Sequence, residues 1–212
     1  MPAKLRGDVA MQRTEGAPPS ADQQAILSLI NKWMVFRDMG DWDRLRPVWH
    51  EDGRMSASWR QGTADEFIAS NNANWDKGLS IFHELSAVVI DVNGSRAVSQ
   101  TKMTITQRAE LDGVLCDVTC MARHYDRWEK RVGLWGLLLR DTVFDRDRID
   151  SVVPGQAINL DPELLGRFPA PYRHLGYLQT KLGFNVSTEI PHLRSQAAED
   201  LYADGRRWLA EG

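Results

Sequence analysis

Two residues of this sequence have the side chains that general acid–base catalysis uses. Asp38 closes the stretch WMVFRD (residues 33–38), and His83 lies in the stretch FHEL (residues 82–85). An imidazole titrates near pH 6.5 and accepts a proton at neutral pH, and a carboxylate on its other ring nitrogen stabilises the imidazolium that forms. If the two stretches meet in an apolar pocket, the pair predicts a general base with its orienting acid.

The element that must position Asp38 is a helix. Residues 20–23 (SADQ) fit a capping box, in which the serine and the glutamine each bond the other's backbone. Asp38 follows Met34 by four residues, which places its carboxylate at or beside the apolar stripe near the helix C-terminus, where an unpaired anion is disfavoured. It needs a partner, which is either a distant side chain or, at the surface, Arg37 or a local backbone N–H. The stripe recurs at intervals of three and four residues: Ile26, Leu29, Ile30, Trp33 and Met34.

Short elements follow this helix. Gly40 predicts its end, and Asp41 predicts the cap of a second, short helix. Residues 51–53 (EDG) predict a turn, and the two-residue alternation over 54–60 predicts a half-buried strand. Residues 63–66 (TADE) form a second capping box, which opens a helix that continues to Trp75.

Four long strands are predicted next. Their connections carry Asn93-Gly94, Asp112-Gly113 and Val132-Gly133, and Asn-Gly and Asp-Gly are strong signals of β-hairpins. Helices followed by consecutive antiparallel strands predict an α+β domain, in which a curved sheet wraps over the first helix as a cone. The predicted strands span residues 81–91, 96–108, 114–128 and 134–145.

The two ends of the chain differ from this central part. Residues 1–19 show no periodicity and predict a flexible arm. The domain is predicted over residues 20–150, and the charges of residues 145–148 (DRDR) predict a solvated turn. Residues 151–212 predict an extension with helices over 172–182 and 195–209, which acts as a lid, an oligomer contact or both.

Composition limits the classes of function. The chain has 26 Lys and Arg against 29 Asp and Glu, with the signs interspersed, which disfavours nucleic-acid partners. No apolar window reaches the roughly 18 to 20 residues of a membrane span, and the N-terminus lacks the apolar core of a secretory signal, so a cytoplasmic protein is expected. Cys116 and Cys120 fall in one predicted strand, about 13 Å apart, too far for a disulfide.

The order of these elements resembles the SnoaL-like branch of the nuclear transport factor 2 superfold. The resemblance covers residues 20–150 and rests on the stretches RDMGDWDRL (37–45), FH (82–83), DVNGSRA (91–97) and GLWGLLLRDTVF (133–144). It is nearest to the families of scytalone dehydratases, hexachlorocyclohexane dehydrochlorinases and bile-acid dehydratases.

The resemblance implies a lyase that needs no cofactor or metal. In those families a histidine at the place of His83 removes a proton, and an acid at the place of Asp38 holds the ring. Arg140 matches a cationic position of the dehydrochlorinases and is the candidate for stabilising the leaving group, the alternative being a surface ion pair. Homo-oligomers, either trimers or dimers, are the habit of these families.

The sequence also departs from those families. Trp33 stands where they have a tyrosine or a lysine, and residues 104–107 (TITQ) stand where dehydratases have a further His or Asp. Tyr125, His124 or Asp117 on the next strand are possible substitutes. Trp33 and Trp59, with Tyr125 and Asp117, are therefore predicted to bind the substrate, and their aromatic rings suit a hydrophobic, aromatic or polycyclic hydroxylated molecule. Elimination of water and loss of a small carbonyl fragment both remain open.

Two other functions agree with the same residues. The first is a non-catalytic member of the superfold that binds a small molecule or a partner chain, since fold alone does not determine function. The second is the small subunit of a ring-hydroxylating oxygenase.

Overall fold

A computed structural model describes residues 18–75 and 80–212 of the chain. It has the predicted α+β architecture, with helices before and after one curved sheet of six strands. The flexible arm that the sequence predicts falls outside the described residues, except for Pro18 and Pro19.

The first helix, α1 (Ala21–Met39), begins and ends as the sequence predicts. Ser20 Oγ accepts the backbone N–H of Gln23, whose side chain in turn accepts the backbone N–H of Ser20. Gly40 terminates the helix with φ 69°, a left-handed conformation that glycine adopts without strain. The apolar stripe of α1 contacts the sheet, and this contact brings Asp38 towards the strands.

A pair of short strands and two helices follow. Helix α2 (Trp42–Leu45) leads through a 3-10 turn into strand β1 (Trp49–Ala57), which pairs with strand β2 (Arg60–Thr63) before helix α3 (Ala64–Trp75). The turn predicted at residues 51–53 is wrong, because these residues lie within β1. The register of β1 shifts between Trp49 and Arg54, and this irregularity accommodates the Glu-Asp-Gly sequence inside a strand.

The long strands form the body of the sheet. They are β3 (Ser80–Asn93), β4 (Arg96–Leu111), β5 (Val114–Arg131) and β6 (Leu134–Ser151), in the order β2-β1-β6-β5-β4-β3. All neighbours are antiparallel except β1 and β6, which are parallel. Each observed strand is longer than the predicted one, because pairing with its neighbour continues past the end of the hydrophobic alternation.

The solvated turn predicted at residues 145–148 is also wrong. These residues continue strand β6, where Thr119 and Cys120 of β5 pair with Arg148 and Asp147. The side chain of Asp147 has no exposed surface, although its neighbours Arg146 and Arg148 are exposed.

The extension after residue 150 packs into the same core as the sheet. It contains helix α4 (Pro162–Gly166), a 3-10 turn, helix α5 (Arg173–Lys181) and helix α6 (Gln196–Ala210). Ala198 of α6 packs in a second, smaller cluster with Val98, Tyr125 and Val143. The other buried apolar side chains of the extension belong to the main hydrophobic cluster: Phe168, Tyr172, Leu175, Tyr177, Leu178 and Ile190.

Within the described ranges, no helix is long and apolar enough to cross a membrane. Cys116 and Cys120 are free and buried, as their spacing predicts.

Candidate active site

Asp38 and His83 are joined by two hydrogen bonds. Asp38 Oδ1 lies 2.7 Å from His83 Nδ1, and Asp38 Oδ2 accepts the backbone N–H of His83 at 2.6 Å. Because Nδ1 faces a carboxylate, Nδ1 carries the proton and Nε2 keeps its lone pair. Nε2 has no hydrogen-bond partner in residues 18–75 and 80–212, and the imidazole is therefore oriented as a general base.

Arg37 supports the carboxylate from the same helix. One of its nitrogens lies 3.3 Å from Asp38 Oδ1, and another donates to Asn71 Oδ1 at 3.0 Å. Burial alone raises the pKa of Asp38, but the hydrogen bonds from His83 and the charge of Arg37 outweigh it and lower the pKa below its usual 3.8. Asp38 is thus an anion at neutral pH, held by both partners that the sequence suggests.

His83 is neutral at pH 7. Burial lowers its pKa below 6.5, and the nearby charges of Arg37 and Arg140 act in the same direction, whereas Asp38 acts against them. A neutral imidazole can accept a proton, which a general base must do.

Trp33 lies at the centre of the site. Its indole meets the rings of His83 and His124 edge to face, at centroid distances of 5.7 Å and 5.2 Å, and the guanidinium of Arg140 lies 4.4 Å from its centroid. Burial, together with Arg140 and His83, lowers the pKa of His124 well below 6.5, so the second imidazole is also neutral. Trp33 also lines the cavity in front of His83.

A small cavity lies in front of His83. It measures about 40 Å³, far below the roughly 300 to 1,000 Å³ of pockets that hold drug-sized ligands, so a substrate of that size enters only if part of the wall moves. Trp59, in the turn between β1 and β2, and Arg37 also line it. Apolar side chains of the sheet, α3 and α5 form much of the remaining wall: Met55, Phe67, Ile81, Ile105, Phe144 and Leu175.

Arg140 is buried rather than placed at the surface. Its Nε and Nη2 each donate to one oxygen of Asp126 at 2.7 Å, and both side chains have 0% exposed surface. The third nitrogen, Nη1, is buried and has no partner in the described part of the chain. Arg140 therefore neutralises Asp126, stacks on Trp33 and retains one free donor group.

Tyr125 and Asp117, which the sequence predicts to bind the substrate, do not line this cavity. Strand β5 alternates without a bulge of its own, so the odd-numbered residues face away from α1. Tyr125 packs against Tyr202 of α6, with ring centroids 5.1 Å apart, and Asp117 forms an ion pair with Arg108 at 2.7 Å.

Some cavity residues, such as Gln179, were not predicted from the sequence, and His124 was named only as one of three possible substitutes. The buried even-numbered positions of β5, including Cys116, Cys120 and Ala122, indicate the inner face, and the same alternation places His124 there. Gln179 follows Leu175 by four residues on the buried face of α5. A glutamine on an apolar stripe was therefore the sequence signal that could have indicated its place in the cavity wall. Nothing in the sequence indicates that α5 covers this cavity.

No group of three or more His, Cys, Asp or Glu side chains among the described residues has the arrangement of a metal site.

Comparisons with known proteins agree with this architecture. The model of a family described as a SnoaL-like domain matches residues 18–141. Pea pathogenicity protein 2 of Fusarium vanettenii is 29% identical over 220 residues, with 99% of this chain and 94% of that protein covered. A second protein of that fungus, described as PEP2-like, is 30% identical over 195 residues, with 87% and 84% covered.

A solved structure supports the fold of the central part. It is hexachlorocyclohexane dehydrochlorinase LinA-type3 from Novosphingobium barchaimii LL02, with a TM-score of 0.52 and 15% identity. The match covers 66% of this chain and 96% of that one. By contrast, the match to pea pathogenicity protein 2 includes nearly the whole chain, so it also contains the extension that follows the sheet.

Proposed function

Because this chain belongs to the SnoaL-like family and holds a bonded His83–Asp38 pair beside a cavity, we propose that it is a lyase that needs no cofactor. It eliminates water, or a small carbonyl fragment, from a hydrophobic hydroxylated molecule. The observation that carries the proposal is the pair itself: His83 Nδ1 faces Asp38 at 2.7 Å, and Nε2 is left free.

His83 is the general base of the proposed reaction. In elimination of water its Nε2 takes a proton from carbon, and the electron pair of the broken C–H bond becomes part of the new double bond when the C–O bond breaks. The departing hydroxide takes the proton from the imidazolium and leaves as water, so the imidazole returns to its neutral form. In loss of a carbonyl fragment Nε2 takes the hydroxyl proton, the C–C bond breaks as the carbonyl forms, and the carbon that receives the electron pair takes up the proton. Positioned acid–base catalysis of this kind contributes on the order of 10²- to 10⁴-fold.

Asp38 is the positioning residue of the pair. Its carboxylate fixes the tautomer of His83 and stabilises the imidazolium while the proton is held. The hydrogen bonds from His83 lower the pKa of this carboxylate, and Arg37 adds to the effect, because its guanidinium lies 3.3 Å from Asp38 Oδ1.

Two residues are placed to assist the leaving group. His124 lines the same cavity as His83, and Arg140 has an unpartnered Nη1 next to Trp33. A donor at either position stabilises negative charge that develops on a departing oxygen. We assign this role to them in place of Tyr125 and Asp117, which lie outside the cavity.

The substrate of the proposed reaction is an apolar molecule with a planar part. Trp33, Trp59 and Phe67 form an aromatic wall, in which Trp33 stacks on Phe67 with centroids 6.1 Å apart. Since a cavity of about 40 Å³ is too small for such a molecule, we propose that α5 acts as a lid, with Leu175 and Gln179 moving away to admit it.

A test that does not require the natural substrate is proton exchange in D2O. Acetophenone has acidic methyl protons next to a carbonyl, and their replacement by deuterium is followed by NMR. The wild type should catalyse this exchange, and His83→Gln should abolish it while the melting temperature stays nearly constant. Retained exchange in His83→Gln would refute the base assignment.

The complete reaction is tested by a screen of aromatic and polycyclic alcohols, read by mass spectrometry. Loss of one water identifies a dehydratase, and loss of a larger fragment identifies cleavage of a carbon–carbon bond. If the protein binds members of the panel but converts none and exchanges no proton, it is a binding protein of the same fold.

A further inference from the structure

Three uncharged polar side chains form a chain of hydrogen bonds across the cavity. Ser58 Oγ donates to Gln179 Oε1 at 2.8 Å, and Gln179 Nε2 lies 3.5 Å from Gln107 Oε1. All three line the cavity and are almost completely buried. Ser58 belongs to the turn after β1, Gln107 to β4 and Gln179 to the helix α5, so the chain joins three separate parts of the fold.

These hydrogen bonds run from Ser58 through Gln179 to Gln107, and the last amide group has no partner for its nitrogen. Because Gln179 donates to the oxygen of Gln107, the amide nitrogen of Gln107 is the group left over. Gln107 Nε2 is buried and has no hydrogen bond to any residue of the described ranges. Buried donors of native proteins are nearly always paired, so an N–H group that is left over beside a cavity indicates an acceptor that binds there.

The unpartnered amide lies on the same face of the sheet as His83. His83 pairs with Ile105 across β3 and β4, and Gln107 follows Ile105 by two residues. Residues two apart share a face, and such diagonal neighbours have Cα atoms about 7 to 8 Å apart. One small molecule can therefore contact the imidazole and the amide together.

The charges around the cavity cancel in pairs. Arg37 is bound to Asp38, Arg140 is bound to Asp126, and burial keeps His83 neutral. A charged ligand would lose its hydration here without gaining a free counterion. Among the unpartnered donors near the cavity, that of Gln107 is a neutral amide, which suits the oxygen of an uncharged carbonyl group.

We propose that Gln107, oriented by Gln179 and Ser58, binds a carbonyl oxygen of the substrate. The substrate class is then an uncharged hydroxylated carbonyl compound, and this inference rests on the proposed lyase function. When His83 removes a proton from the carbon next to the carbonyl, the electron pair moves onto that oxygen as an enolate, and the amide N–H stabilises it. The enolate expels the leaving group in the following step. Since Gln179 belongs to α5, closure of the lid and orientation of the amide are coupled.

Three probes with one carbon skeleton test this site by binding alone: acetophenone, 1-phenylethanol and ethylbenzene. They differ only in the oxygen, and isothermal titration with the full chain gives their dissociation constants. The wild type should bind acetophenone about 3- to 10-fold more tightly than ethylbenzene, the range that one hydrogen bond supplies. Gln107→Leu should abolish this preference and leave the affinity for ethylbenzene unchanged.

The matched control is Gln100→Leu, which removes the same side chain from the opposite face of β4, under α6. It should keep the preference for acetophenone. Gln107→Glu removes the free donor but keeps an oxygen for Gln179, and it provides a second test if Gln107→Leu does not fold. Gln179→Leu should weaken the preference, because it releases Gln107 from its orientation.

Three results would overturn the proposal. They are absence of saturable acetophenone binding to the wild type, an unchanged preference in Gln107→Leu, and a preference for 1-phenylethanol over acetophenone that Gln107→Leu abolishes. Binding does not require turnover, so the two proposals can fail separately. Acetophenone binding that depends on Gln107, without methyl proton exchange, would retain the carbonyl site and reject the lyase.

Discussion

The carboxylate of Asp38 lies at the C-terminal end of a helix, where the backbone dipole disfavours an anion. It is held there by the backbone and ring N–H groups of His83 and by the guanidinium of Arg37. These donors come from α1 and β3, which are far apart in sequence, so the position of the carboxylate depends on how α1 packs on β3. The same contacts keep the imidazole in one tautomer.

Asp38→Asn is expected to reduce the rate of methyl proton exchange of acetophenone by about 10²- to 10⁴-fold with little change in affinity for the probe. The amide cannot accept from both N–H groups of His83, so the imidazole loses its orientation and its counterion. Asp41→Asn is the control, because in the described part of the chain the side chain of Asp41 bonds only to Arg44, at the start of α2. An unchanged rate in Asp38→Asn would mean that the carboxylate is only structural.

Arg140 and Asp126 form an ion pair that is fully buried. Removing either partner leaves an uncompensated charge in the core, so Arg140→Met and Asp126→Leu should each reduce the free energy of unfolding by about 3 to 5 kcal/mol. The double variant has no buried charge and should recover most of this loss. Urea unfolding measures all three.

The double variant also separates the two roles of Arg140. If it is stable but shows slower elimination from a substrate found in the alcohol screen, the free Nη1 group acts on the leaving group. Single variants as stable as the wild type would show that the ion pair contributes little to the fold.

At the scale of elements, local signals in the sequence specify the hairpins and helix starts. Ser20 and Gln23 predict the start of α1, because their side chains bond backbone N–H groups that the helix leaves free. Asn93-Gly94 predicts the turn before β4, where Gly94 takes a φ of 54° that favours glycine. The end of β6 could not be predicted in this way. Alternating charges at residues 145–148 are typical of a solvated segment, but β5 supplies pairing partners and α5 covers Asp147.

Asp147 anchors the proposed lid. Its carboxylate accepts the backbone N–H groups of His174 and Leu175 at 2.7 Å and 2.8 Å, and it lies 2.8 Å from His174 Nδ1. Asp147→Asn should destabilise the protein by about 1 to 3 kcal/mol, and hydrogen exchange should increase most over α5. The melting temperature should fall by about 2 to 4 °C per kcal/mol.

The control for this prediction is Asp117→Asn, which removes a carboxylate from a more exposed ion pair with Arg108 and should have little effect. If exchange over α5 is the same in Asp147→Asn and in the wild type, Asp147 does not hold the lid.

At the scale of the whole molecule, the extension after residue 150 completes the core that α1 and the sheet begin. Tyr172, Tyr177 and Leu178 are fully buried against the sheet. The sequence shows two helical patterns in this segment, but patterns within one segment do not specify which distant surface they cover. For the same reason the Asp38–His83 contact followed from the family resemblance and the apolar stripe, whereas Gln179 in the cavity wall did not.

The interior also determines how the stability of the whole protein depends on pH. Burial lowers the pKa of His83 and of His124 below 6.5, so the unfolded chain binds more protons than the folded protein as the pH falls below about 6.5. Their contribution to the free energy of unfolding is complete above that pH and is lost on acidification. Asp141 acts in the opposite direction, because burial raises its pKa to about 6 and the folded protein then binds the extra proton between about pH 6 and 3.8.

Comparison of the wild type with a His124 variant separates the contribution of His124 to stability from those of His83 and Asp141. His124→Gln removes a buried imidazole and retains Asp141 and His83, so the difference in unfolding free energy between wild type and variant should change by up to about 1.4 kcal/mol per pH unit below pH 6.5. Above pH 6.5 this difference should be constant. Urea unfolding from pH 5 to 7.5 measures it, and the wild type should lose stability relative to the variant as the pH falls. A difference that is flat across the whole range, or that moves the other way, would mean that His124 is not held neutral by its surroundings.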